Sequence, residues 1–328
     1  MKKAIVTGGT GFLGRHLVSM LSESGWNVIV FARNIYSKEA KDSDRVVFRS
    51  VDIACKDSLN KVFESVDVVF HCAALSSAWG DYDSFYSANV EGTRNILTCC
   101  DRFKVKKLIY VSSTSVYFKY RDEIGIVENQ RVGPSFANSY AETKYLGEQV
   151  LINEKKNVEV TIVRPRGIVG EGDAAIMPRI MRVARKGWFP LIKGGEATVD
   201  VTYVKNVAYA LILCAETQDI DKEIFNISND QPVKVKDLLK LVLRGRSIKF
   251  IKVPYKLAFF FARISEVVAK VLKRGEPRLT VYGVGLLAHT QVLNVDKAKA
   301  ILGYSPKYSI EYAVRQYLAW EKERAGNI

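Results

Sequence analysis

The sequence predicts an α/β protein: a doubly wound parallel sheet with helices on both faces, joined to a smaller, mostly helical C-terminal lobe. Two observations support this prediction. In the first half of the 328 residues, short β-branched runs alternate with longer amphipathic runs, as is typical of strands connected by crossover helices. From about residue 230 the chain is mostly helical in pattern and rich in basic residues, which indicates a second lobe.

Each element is placed from its pattern. KKAIVTG predicts the first strand, and GFLGRHLVSMLSESG predicts a helix that Gly25 ends. Further strands are predicted in WNVIVFAR, VVFRSVDI, VDVVFHCAA, KLIYVSSTSVY and VEVTIVRP, with helices around SFYSANVEGTRNILTCCDRF and NSYAETKYLGEQ. Beyond Pro165, the glycine-rich connectors RGIVGEGD and LIKGGEATVD precede VTYVKNVAYALILCAE, a short strand entering a helix, and the strand EIFNIS. We therefore predict a sheet domain from residues 1–166 and 198–229 and a substrate-binding lobe from residues 167–197 and 230–328.

The composition excludes several classes of function. Five cysteines and three histidines lack the spacing of metal ligands or of a disulfide framework, so we predict no metal site and a reducing, cytoplasmic setting. We recognise neither a signal peptide nor a membrane-spanning apolar run. The formal charge of +14 suits an anionic ligand or an anionic membrane surface, but no nucleic-acid-binding motif accompanies it. We expect no nucleic acid partner.

The segment TGGTGFLG, residues 7–14, lies where the first strand passes into the first helix. Its glycines are spaced three apart, which allows a tight turn, the approach of a pyrophosphate to backbone N–H groups, and close helix–strand packing. Because the pattern follows a strand and opens a helix, it predicts a Rossmann-type dinucleotide site. The cofactor-binding residues expected here are Gly8, Thr10, Gly11, Phe12, Leu13 and Gly14.

The end of the second predicted strand indicates which dinucleotide is preferred. An acidic residue at this point would bind the ribose 2′-hydroxyl of NAD, but this chain has Arg33. A guanidinium suits a 2′-phosphate, so we predict that NADP(H) is preferred and NAD(H) remains possible. Asp52 and Ile53 close the third strand and are expected beside the adenine.

Across nearly its whole length the chain resembles the extended short-chain dehydrogenase/reductase family. The matching blocks, in order, are TGGTGFLG, VDI, HCAA, NVEGT, YVSSTSVY, YAETK, RPRGIVGEGD and FNIS. The resemblance implies a catalytic trio of Ser113, Tyr140 and Lys144, although the hydroxyl could also be that of Ser112 or Thr114. Further cofactor-binding residues implied by the resemblance are Ala73, Ala74, Pro165, Ile168 and Asn89, the last as a support for the sheet and a proton relay.

The trio suggests a proton-transfer device. Tyrosine, with an ordinary pKa near ~10, is a weak acid–base group at neutral pH. We expect the Lys144 ammonium and an oxidised nicotinamide to lower the pKa of Tyr140, and Lys144 also to hold the nicotinamide ribose. Ser113 would stabilise the substrate oxygen by a hydrogen bond.

Within that family the chain is similar to the 3β-hydroxysteroid dehydrogenase-like branch, especially to bacterial 2-alkyl-3-oxoalkanoate reductases and sterol dehydrogenases. ALSSAWGDYDSFYSANVEGT, VRPRGIVGEGD, LKRGEPRLT and LGYSPKYSIE carry this similarity. The chain departs from the branch at Lys205, where relatives usually have an acidic residue, and at Glu171, where proline is frequent. The resemblance implies hydride transfer between NADP(H) and a 3-hydroxy or 3-oxo group of a hydrophobic substrate, such as a 3β-hydroxysteroid or a 2-alkyl-3-oxoalkanoate. The expected substrate contacts are Ser76, Trp79, Tyr82 and Thr114.

Two alternatives remain open at this stage. The first is a nucleotide-sugar epimerase or dehydratase, which shares the fold and the trio. Against it, VRPRG has Gly167 near the position where many such enzymes have an asparagine for the diphosphate, and Thr114 and Ser115 stand where dehydratases have an Asp-Glu pair. The second is a non-catalytic NADP-binding sensor, which would have no need of the complete trio.

The segment VPYKLAFFFARISEVVAKVLKRG, residues 253–275, has apolar residues at helical spacing. We expect most of them to pack in the core against the sheet domain, with a channel for a steroid or acyl chain as the alternative. Lys270, Lys273 and Arg274 at its end suggest peripheral contact with an anionic membrane or with a substrate carboxylate. The family resemblance implies a homodimer.

Overall fold

A seven-stranded sheet forms the centre of the larger lobe in the computed structural model, which describes residues 2–35, 42–272 and 275–326. Its strands, from one edge to the other, are β12 (Ile224–Ile227), β7 (Glu159–Pro165), β5 (Lys107–Val111), β4 (Val68–His71), β1 (Lys3–Thr7), β2 (Asn27–Ala32) and β3 (Val46–Ser50). All neighbouring strands are parallel. The chain first runs outward from β1 to β3 and then continues on the other side of β1, which is the doubly wound order.

Helices cover both faces of this sheet, so the predicted fold class is confirmed. One face carries α1 (Phe12–Glu23) and α7 (Val204–Glu216), and the other carries α2 (Lys56–Val62), α4 (Gly92–Arg102) and α5 (Ser139–Glu154). The short helix α3 (Tyr82–Tyr86) joins α4 through a π-helical turn, Ser87–Glu91. The alternation of β-branched strands with amphipathic helices gives each helix an apolar stripe, and burial of that stripe against the sheet stabilises the stack.

The smaller lobe consists mainly of helices. They are α6 (Ile176–Ala184), α8 (Val235–Val242), α9 (Tyr255–Val271), α10 (Val281–Ala288), α11 (Asp296–Leu302) and α12 (Ile310–Gly326). Short strands form three further sheets: β13 (Val233–Lys234), β10 (Thr198–Val199), β15 (Gln291–Leu293) and β6 (Glu123–Ile126) in one, β11 (Thr202–Tyr203) with β8 (Ile168–Val169), and β14 (Lys249–Val253) with β9 (Trp188–Ile192). Since β6 comes before β7 in the chain but pairs with β15, the two lobes are interwoven.

The helix α9 corrects one expectation from the sequence. The seven large residues of its apolar stripe do not pack in the core, and they are exposed, from 43% for Val268 to 73% for Val271. The opposite side of the helix makes the contact with the lobe: three alanines are buried there, and Tyr255 and Phe259 are partly buried against the same cluster. Lys273 and Arg274 lie outside the described residues.

The two departures from the related branch contact each other. The Lys205 ammonium lies 3.3 Å from a carboxylate oxygen of Glu171, and the Tyr203 hydroxyl donates to the same carboxylate at 2.9 Å. The neighbouring carbonyl of Gly172 accepts from Arg15 at 3.0 Å. This contact fastens the glycine-rich connector to α1 and α7, so Arg15, which follows the glycine-rich turn, supports the connector.

Within the three described ranges, no helix is both apolar enough and long enough to cross a bilayer. No group of three or more histidine, cysteine or carboxylate side chains comes together there as a metal site would require.

Candidate active site

The carboxyl ends of β1, β4, β5 and β7 meet along one edge of the sheet, where ligands bind in open α/β folds. The glycine-rich turn follows β1, Ala73 and Ala74 follow β4, and Pro165 ends β7. The hydroxyl of Ser113, after β5, acts on the pKa of Tyr140 on α5, and Lys144 follows Tyr140 by one helical turn. The fold therefore brings the predicted trio and most of the predicted cofactor contacts together.

The glycine-rich turn has the shape that a pyrophosphate cradle requires. Gly8 has φ +67°, and a Cβ on it would approach the Cα of Ala73 to 2.8 Å. A Cβ on Gly14 would lie 2.2 Å from the Gly8 carbonyl oxygen, so only glycine fits where α1 crosses the turn. Gly11 caps α1 without a side-chain hydrogen bond, and the first turn has no acidic residue. Backbone N–H groups and the positive end of the helix dipole are thus available to an anion, and these residues fit a dinucleotide.

The side chains between the glycines differ in what they offer. Thr10 and Phe12 are partly exposed, whereas Leu13 is 9% exposed and packs in the core. Leu13 therefore presents its backbone, not its side chain, to a phosphate.

The adenosine end of the predicted site is open. Arg33 follows β2 and is exposed, and its carbonyl accepts from Ser50 Oγ at 3.1 Å. Asp52 is exposed as well, and it holds its own turn by accepting from the Ala54 amide at 3.0 Å. Ile53 is buried, and its carbonyl accepts from Asn95 at 3.0 Å. Arg33 and Asp52 thus lie at the ends of adjacent strands, β2 and β3, on the same edge of the sheet.

The loop after β4 is held in place by a buried polar network. Asn89, in the π-helical turn, accepts from the Leu75 amide at 2.8 Å and donates to Thr143 at 3.0 Å. His71 bonds to Thr7 at 2.7 Å and to Thr93 at 3.0 Å, and burial lowers its pKa to about 3. The buried amide of Asn89 is occupied with this bracing, which connects the cofactor loop to α5. The histidine is neutral at physiological pH and serves as part of the framework.

The protonation of Tyr140 in the folded chain depends on its burial. Burial raises the pKa of Tyr140, and this effect outweighs that of the Ser76 and Ser113 hydroxyls, which favour the phenolate. The expectation that Lys144 and an oxidised nicotinamide together lower this pKa concerns the cofactor-bound enzyme and stays a prediction. Desolvation penalises the phenolate more than two hydroxyls compensate. The phenol is therefore protonated at neutral pH.

Lys144 is 1% exposed, and its ammonium lies 3.9 Å from the centre of the Tyr110 ring. Burial lowers the pKa of Lys144 to about 7, although the Glu148 carboxylate acts in the opposite direction. Desolvation of a cation is costly, and one ring face with one carboxylate compensates only in part. Lys144 therefore changes its charge near neutral pH.

Beside the trio lies an ion pair that the sequence analysis did not find. Glu148 and Arg164 are almost fully buried, and Arg164 Nε donates to Glu148 at 2.8 Å as part of a bidentate pair. Ser112 also donates to this carboxylate, and Arg164 donates to Tyr117 and to the Glu128 carbonyl. Glu148 follows Lys144 by four residues on one helix face, which was the available signal. The pair ties α5 to β5 and β7.

The three neighbouring hydroxyls after β5 have separate partners. Ser112 binds Glu148, and Thr114 is 3% exposed and donates to the Pro165 carbonyl at 3.4 Å. Of the three, Ser113 is the one whose hydroxyl acts on the pKa of Tyr140. The structure thus selects Ser113 from three hydroxyls among which the sequence did not decide. The Thr114 side chain, which was predicted to contact substrate, is buried.

The substrate side of the site is aromatic. Tyr82 is 39% exposed and stacks on Tyr86 at 6.1 Å; Trp79 is half-buried and Ser76 exposed in the preceding loop. From the other lobe, Tyr282 on α10 packs edge-on against Phe118 at 5.3 Å. Both Arg166 and Tyr140 act electrostatically on the pKa of Tyr282. Neither Tyr282 nor Arg166 was predicted from sequence, because only the fold brings α10 to the strand ends.

Comparison with known proteins identifies the family. The model of the 3-beta hydroxysteroid dehydrogenase/isomerase family matches residues 5–255. The chain belongs to this family. It is 30% identical to a 2-alkyl-3-oxoalkanoate reductase of Shewanella oneidensis over 96% of this chain and 85% of the relative. It is 33% identical to the mouse sterol-4-alpha-carboxylate 3-dehydrogenase, decarboxylating, over 96% of this chain and 90% of the relative. The protein is therefore an oxidoreductase of the extended short-chain dehydrogenase/reductase type that uses a nicotinamide dinucleotide.

Solved structures agree on the fold. The UDP-glucuronic acid 4-epimerase of Bacillus cereus, in complex with NAD, superimposes with a TM-score of 0.78 at 21% identity, covering 98% of this chain and 96% of that one. The structure called gox2253 gives a TM-score of 0.80 at 26% identity, covering 99% of both chains. These similarities support the dinucleotide-binding fold.

Proposed function

We propose that this protein transfers a hydride between NADP(H) and the 3-hydroxy or 3-oxo group of a hydrophobic substrate. The observation that carries the proposal is the convergence of Ser113, Tyr140 and Lys144 beside a glycine cradle and an aromatic wall. The similarity to a 3-oxoalkanoate reductase and to a sterol 3-dehydrogenase supports the position of the reacting group. Preference for NADP(H) rests on Arg33, whose exposed guanidinium suits a 2′-phosphate.

Each residue of the trio has a separate role in the proposed reaction. The nicotinamide, when bound, supplies or accepts the hydride. In the reductive direction Tyr140, protonated at neutral pH, donates its proton to the substrate oxygen as charge develops there. Ser113 donates a hydrogen bond to the same oxygen. Lys144, as the ammonium, holds the nicotinamide ribose and favours the phenolate that Tyr140 becomes.

The cofactor is proposed to lie across the sheet edge. Gly8, Gly11 and Gly14 would hold the pyrophosphate, and Ala73 and Ala74 would line the nicotinamide half. Pro165 and Ile168 would hold the carboxamide end. The bonds from Asn89 to the loop after β4 and to α5 support this by fixing the nicotinamide side of the cradle relative to Tyr140.

A nucleotide-sugar epimerase or dehydratase is the second candidate, since the B. cereus epimerase shares the fold. Against it, the connector after β7 has Gly167 where a diphosphate-binding asparagine would be expected, and its φ is +48° with Asp200 and Val201 packed beside it. The aromatic residues Phe118, Tyr120 and Tyr282 form a T-shaped cluster, which suits an apolar substrate better than a sugar diphosphate.

The test is a turnover screen that follows cofactor reduction for the 3-hydroxy substrates and sugar products for the nucleotide sugars, because an epimerase or dehydratase regenerates its cofactor and consumes none. Purified protein is assayed with NADP⁺ and NAD⁺ against a 3-hydroxy fatty acid, a 3β-hydroxysteroid and, in the presence of either cofactor, UDP-glucose and UDP-glucuronic acid. We expect turnover with at least one 3-hydroxy substrate and none with the nucleotide sugars. Turnover confined to the nucleotide sugars would replace the proposal with the epimerase alternative, and NADP⁺ reduction that persists in Tyr140→Phe would refute the assigned proton donor.

A further inference from the structure

Arg166 is a buried cation that the proposed chemistry does not use. It follows β7 directly, beside Pro165, and 7% of its surface is exposed. Its backbone is fixed on both sides, since its amide donates to the Ile227 carbonyl at 3.0 Å and its carbonyl accepts from the Thr202 hydroxyl. The side chain therefore leaves the strand in a direction set by the sheet.

Among the described residues, the guanidinium of Arg166 has neither a hydrogen bond nor an ion pair. The contrast with Arg164, two positions earlier, is sharp, because Arg164 is held by Glu148, Tyr117 and a backbone carbonyl. The Asp200 carboxylate acts on Arg166 only at longer range, and it accepts from the Leu293 amide at 2.7 Å. Guanidinium stays charged at neutral pH, and burial of an unpaired charge is strongly unfavourable. Such a group is expected where a ligand brings the opposite charge.

The surroundings place this charge at the substrate side. The Pro165 carbonyl, one residue before Arg166, accepts from the hydroxyl of Thr114 at 3.4 Å, and Thr114 directly follows Ser113. Both Tyr140 and Arg166 also act on the pKa of Tyr282. Around them stand the rings of Phe118 and Tyr120, which offer an apolar wall. One guanidinium matches one carboxylate through two parallel N–H···O bonds.

We propose that Arg166 binds the carboxylate of the substrate, which is therefore a 3-hydroxy or 3-oxo carboxylic acid with an apolar body. This inference rests on the proposed function, because the reacting oxygen is assumed to lie at Tyr140. In such a molecule one carbon separates the carboxylate from the reacting carbon, so one pocket holds both. A nucleotide diphosphate would also present an anion to Arg166, and the experiment below distinguishes a diphosphate from a carboxylate.

The experiment compares an acid with its ester. 3-Hydroxytetradecanoic acid and its methyl ester are oxidised with NADP⁺ by wild type, Arg166→Met and Arg166→Lys, with Arg182→Met on exposed α6 as the matched control. We expect Arg166→Met to lower the acid-to-ester ratio of kcat/KM by about a hundredfold and Arg166→Lys to lower it less. The ratio is independent of how much enzyme is folded.

The outcomes separate the two proposals. An unchanged ratio in Arg166→Met, with the ester still oxidised, refutes the carboxylate anchor and leaves the proposed function standing. A wild-type enzyme that prefers the ester to the acid refutes the anchor as well. Turnover of neither substrate, together with turnover of UDP-glucose that Arg166→Met abolishes, refutes both and assigns the guanidinium to a diphosphate.

A second, independent observation concerns α9. Its exposed apolar side chains recur at intervals of three and four residues and form one face; they are Leu257, Phe260, Phe261, Ile264, Val267, Val268 and Val271. Exposed basic residues flank this face at every seventh position, namely Lys256, Arg263 and Lys270. The acidic residue of the helix, Glu266, is directed inward and accepts from the Val281 amide at 2.7 Å.

We propose that this face of α9 docks on an anionic bilayer surface. An apolar stripe flanked by cations is the pattern of a helix lying in the membrane interface. A second copy of the chain fits less well, because two such helices packed antiparallel about a two-fold axis would bring Arg263 near its own copy and Lys256 near Lys270 of the partner. The like charges would repel where the apolar faces meet.

Vesicle co-sedimentation tests this docking. Vesicles of phosphatidylcholine with 30% phosphatidylglycerol should bind the wild type, and binding should fall at least tenfold for pure phosphatidylcholine, at 0.5 M salt, or in Phe260→Ser/Phe261→Ser. Ile124→Ser, at a 78% exposed apolar residue elsewhere, is the matched control. Equal binding to neutral vesicles refutes the electrostatic component, and a lipid-free dimer that the double substitution dissociates refutes the bilayer in favour of a second copy.

Discussion

Helices α1 and α9 have the same kind of sequence pattern and opposite surroundings. On α1 the apolar stripe is buried, with Leu17 and Leu21 fully enclosed against the sheet. On α9 seven large apolar side chains face outward, and alanines together with Tyr255 and Phe259 make the contact with the rest of the lobe. Periodicity shows that a helix has an apolar side, but the partner of that side depends on which other elements the fold places next to it. The larger lobe therefore buries the apolar face of this helix in its core, whereas the smaller lobe leaves the apolar face of α9 exposed.

The largest expected contrast between these regions is in turnover. Tyr140→Phe removes the proton donor and should lower kcat by about a thousandfold, since a positioned general acid contributes about 10²–10⁴-fold, while binding of NADPH is retained. Phe260→Ser/Phe261→Ser on α9 should leave kcat on a water-soluble substrate unchanged. Steady-state kinetics and NADPH fluorescence titration measure both. A comparable loss in the α9 variant would show that the exposed face belongs to the active site.

The second prediction concerns the free energy of unfolding, which the buried Lys144 is expected to lower at acidic and neutral pH. The lowered pKa of Lys144, about 7 in the folded chain against 10.5, means that the folded state binds fewer protons than the unfolded state between these values. Stability therefore rises with pH from about 7 to 10.5, and the penalty for burying the cation is complete below pH 7. Lys144→Met should raise the free energy of unfolding of the cofactor-free protein at pH 6, by at most about 5 kcal/mol at about 1.4 kcal/mol per pKa unit.

Thermal unfolding at pH 6 and at pH 10 measures this effect. The gain should shrink at the higher pH, and Lys322→Met, at an exposed lysine on α12, should show no such trend. A variant that is less stable than wild type at pH 6 would mean that Lys144 is stabilised by its surroundings, chiefly the Tyr110 ring and Glu148.

The comparison of α1 with α9 is tested directly by two truncations. Leu17→Ala leaves a cavity in a fully buried position and should cost about 2–5 kcal/mol of unfolding free energy. Phe261→Ala, at a side chain that is 54% exposed, should change it by no more than about 0.5 kcal/mol. Chemical denaturation of both variants gives the answer. A loss at Phe261 as large as that at Leu17 would indicate that the α9 face is covered in solution.

The smallest expected effect concerns the choice of cofactor. Arg33→Asp should raise the KM for NADPH about ten- to a hundredfold, because an ionic contact to the 2′-phosphate is replaced by repulsion. The KM for NADH should change by less than about threefold. Arg49→Asp, at an exposed arginine at the end of the adjacent strand β3, serves as control. Equal changes for the two cofactors would exclude a 2′-phosphate contact at Arg33.

Much of the sheet domain follows from local patterns. The glycines at positions 8, 11 and 14 predicted a turn that only glycine can form, and the contacts of a hypothetical Cβ on Gly14 show the reason. Tyr140 and Lys144 were predicted as neighbours because four residues of helix bring them together. The sequence left the hydroxyl ambiguous among three neighbours, and it was the separate partners of Ser112 and Thr114 that singled out Ser113.

Other features required the tertiary structure because they depend on burial or on residues distant in sequence. The pKa of Tyr140 is raised in the folded chain because desolvation, which no sequence pattern reports, dominates the balance. Arg164 and Arg166 are two residues apart in one strand end. In the folded chain Arg164 pairs with Glu148, whereas Arg166 acts on the pKa of Tyr282. The fold also brings Glu171 within 3.3 Å of Lys205.

The sequence by itself determined the order of the elements, the dinucleotide cradle and the pairing of Tyr140 with Lys144, because each depends on neighbours within a few positions of the chain. The tertiary structure decided which charges are paired, which titrate near neutral pH and which apolar face stays exposed. Those properties depend on the dielectric surroundings and packing partners that distant segments supply. Arg166 and α9 belong to this second group, and both proposals drawn from the structure concern them.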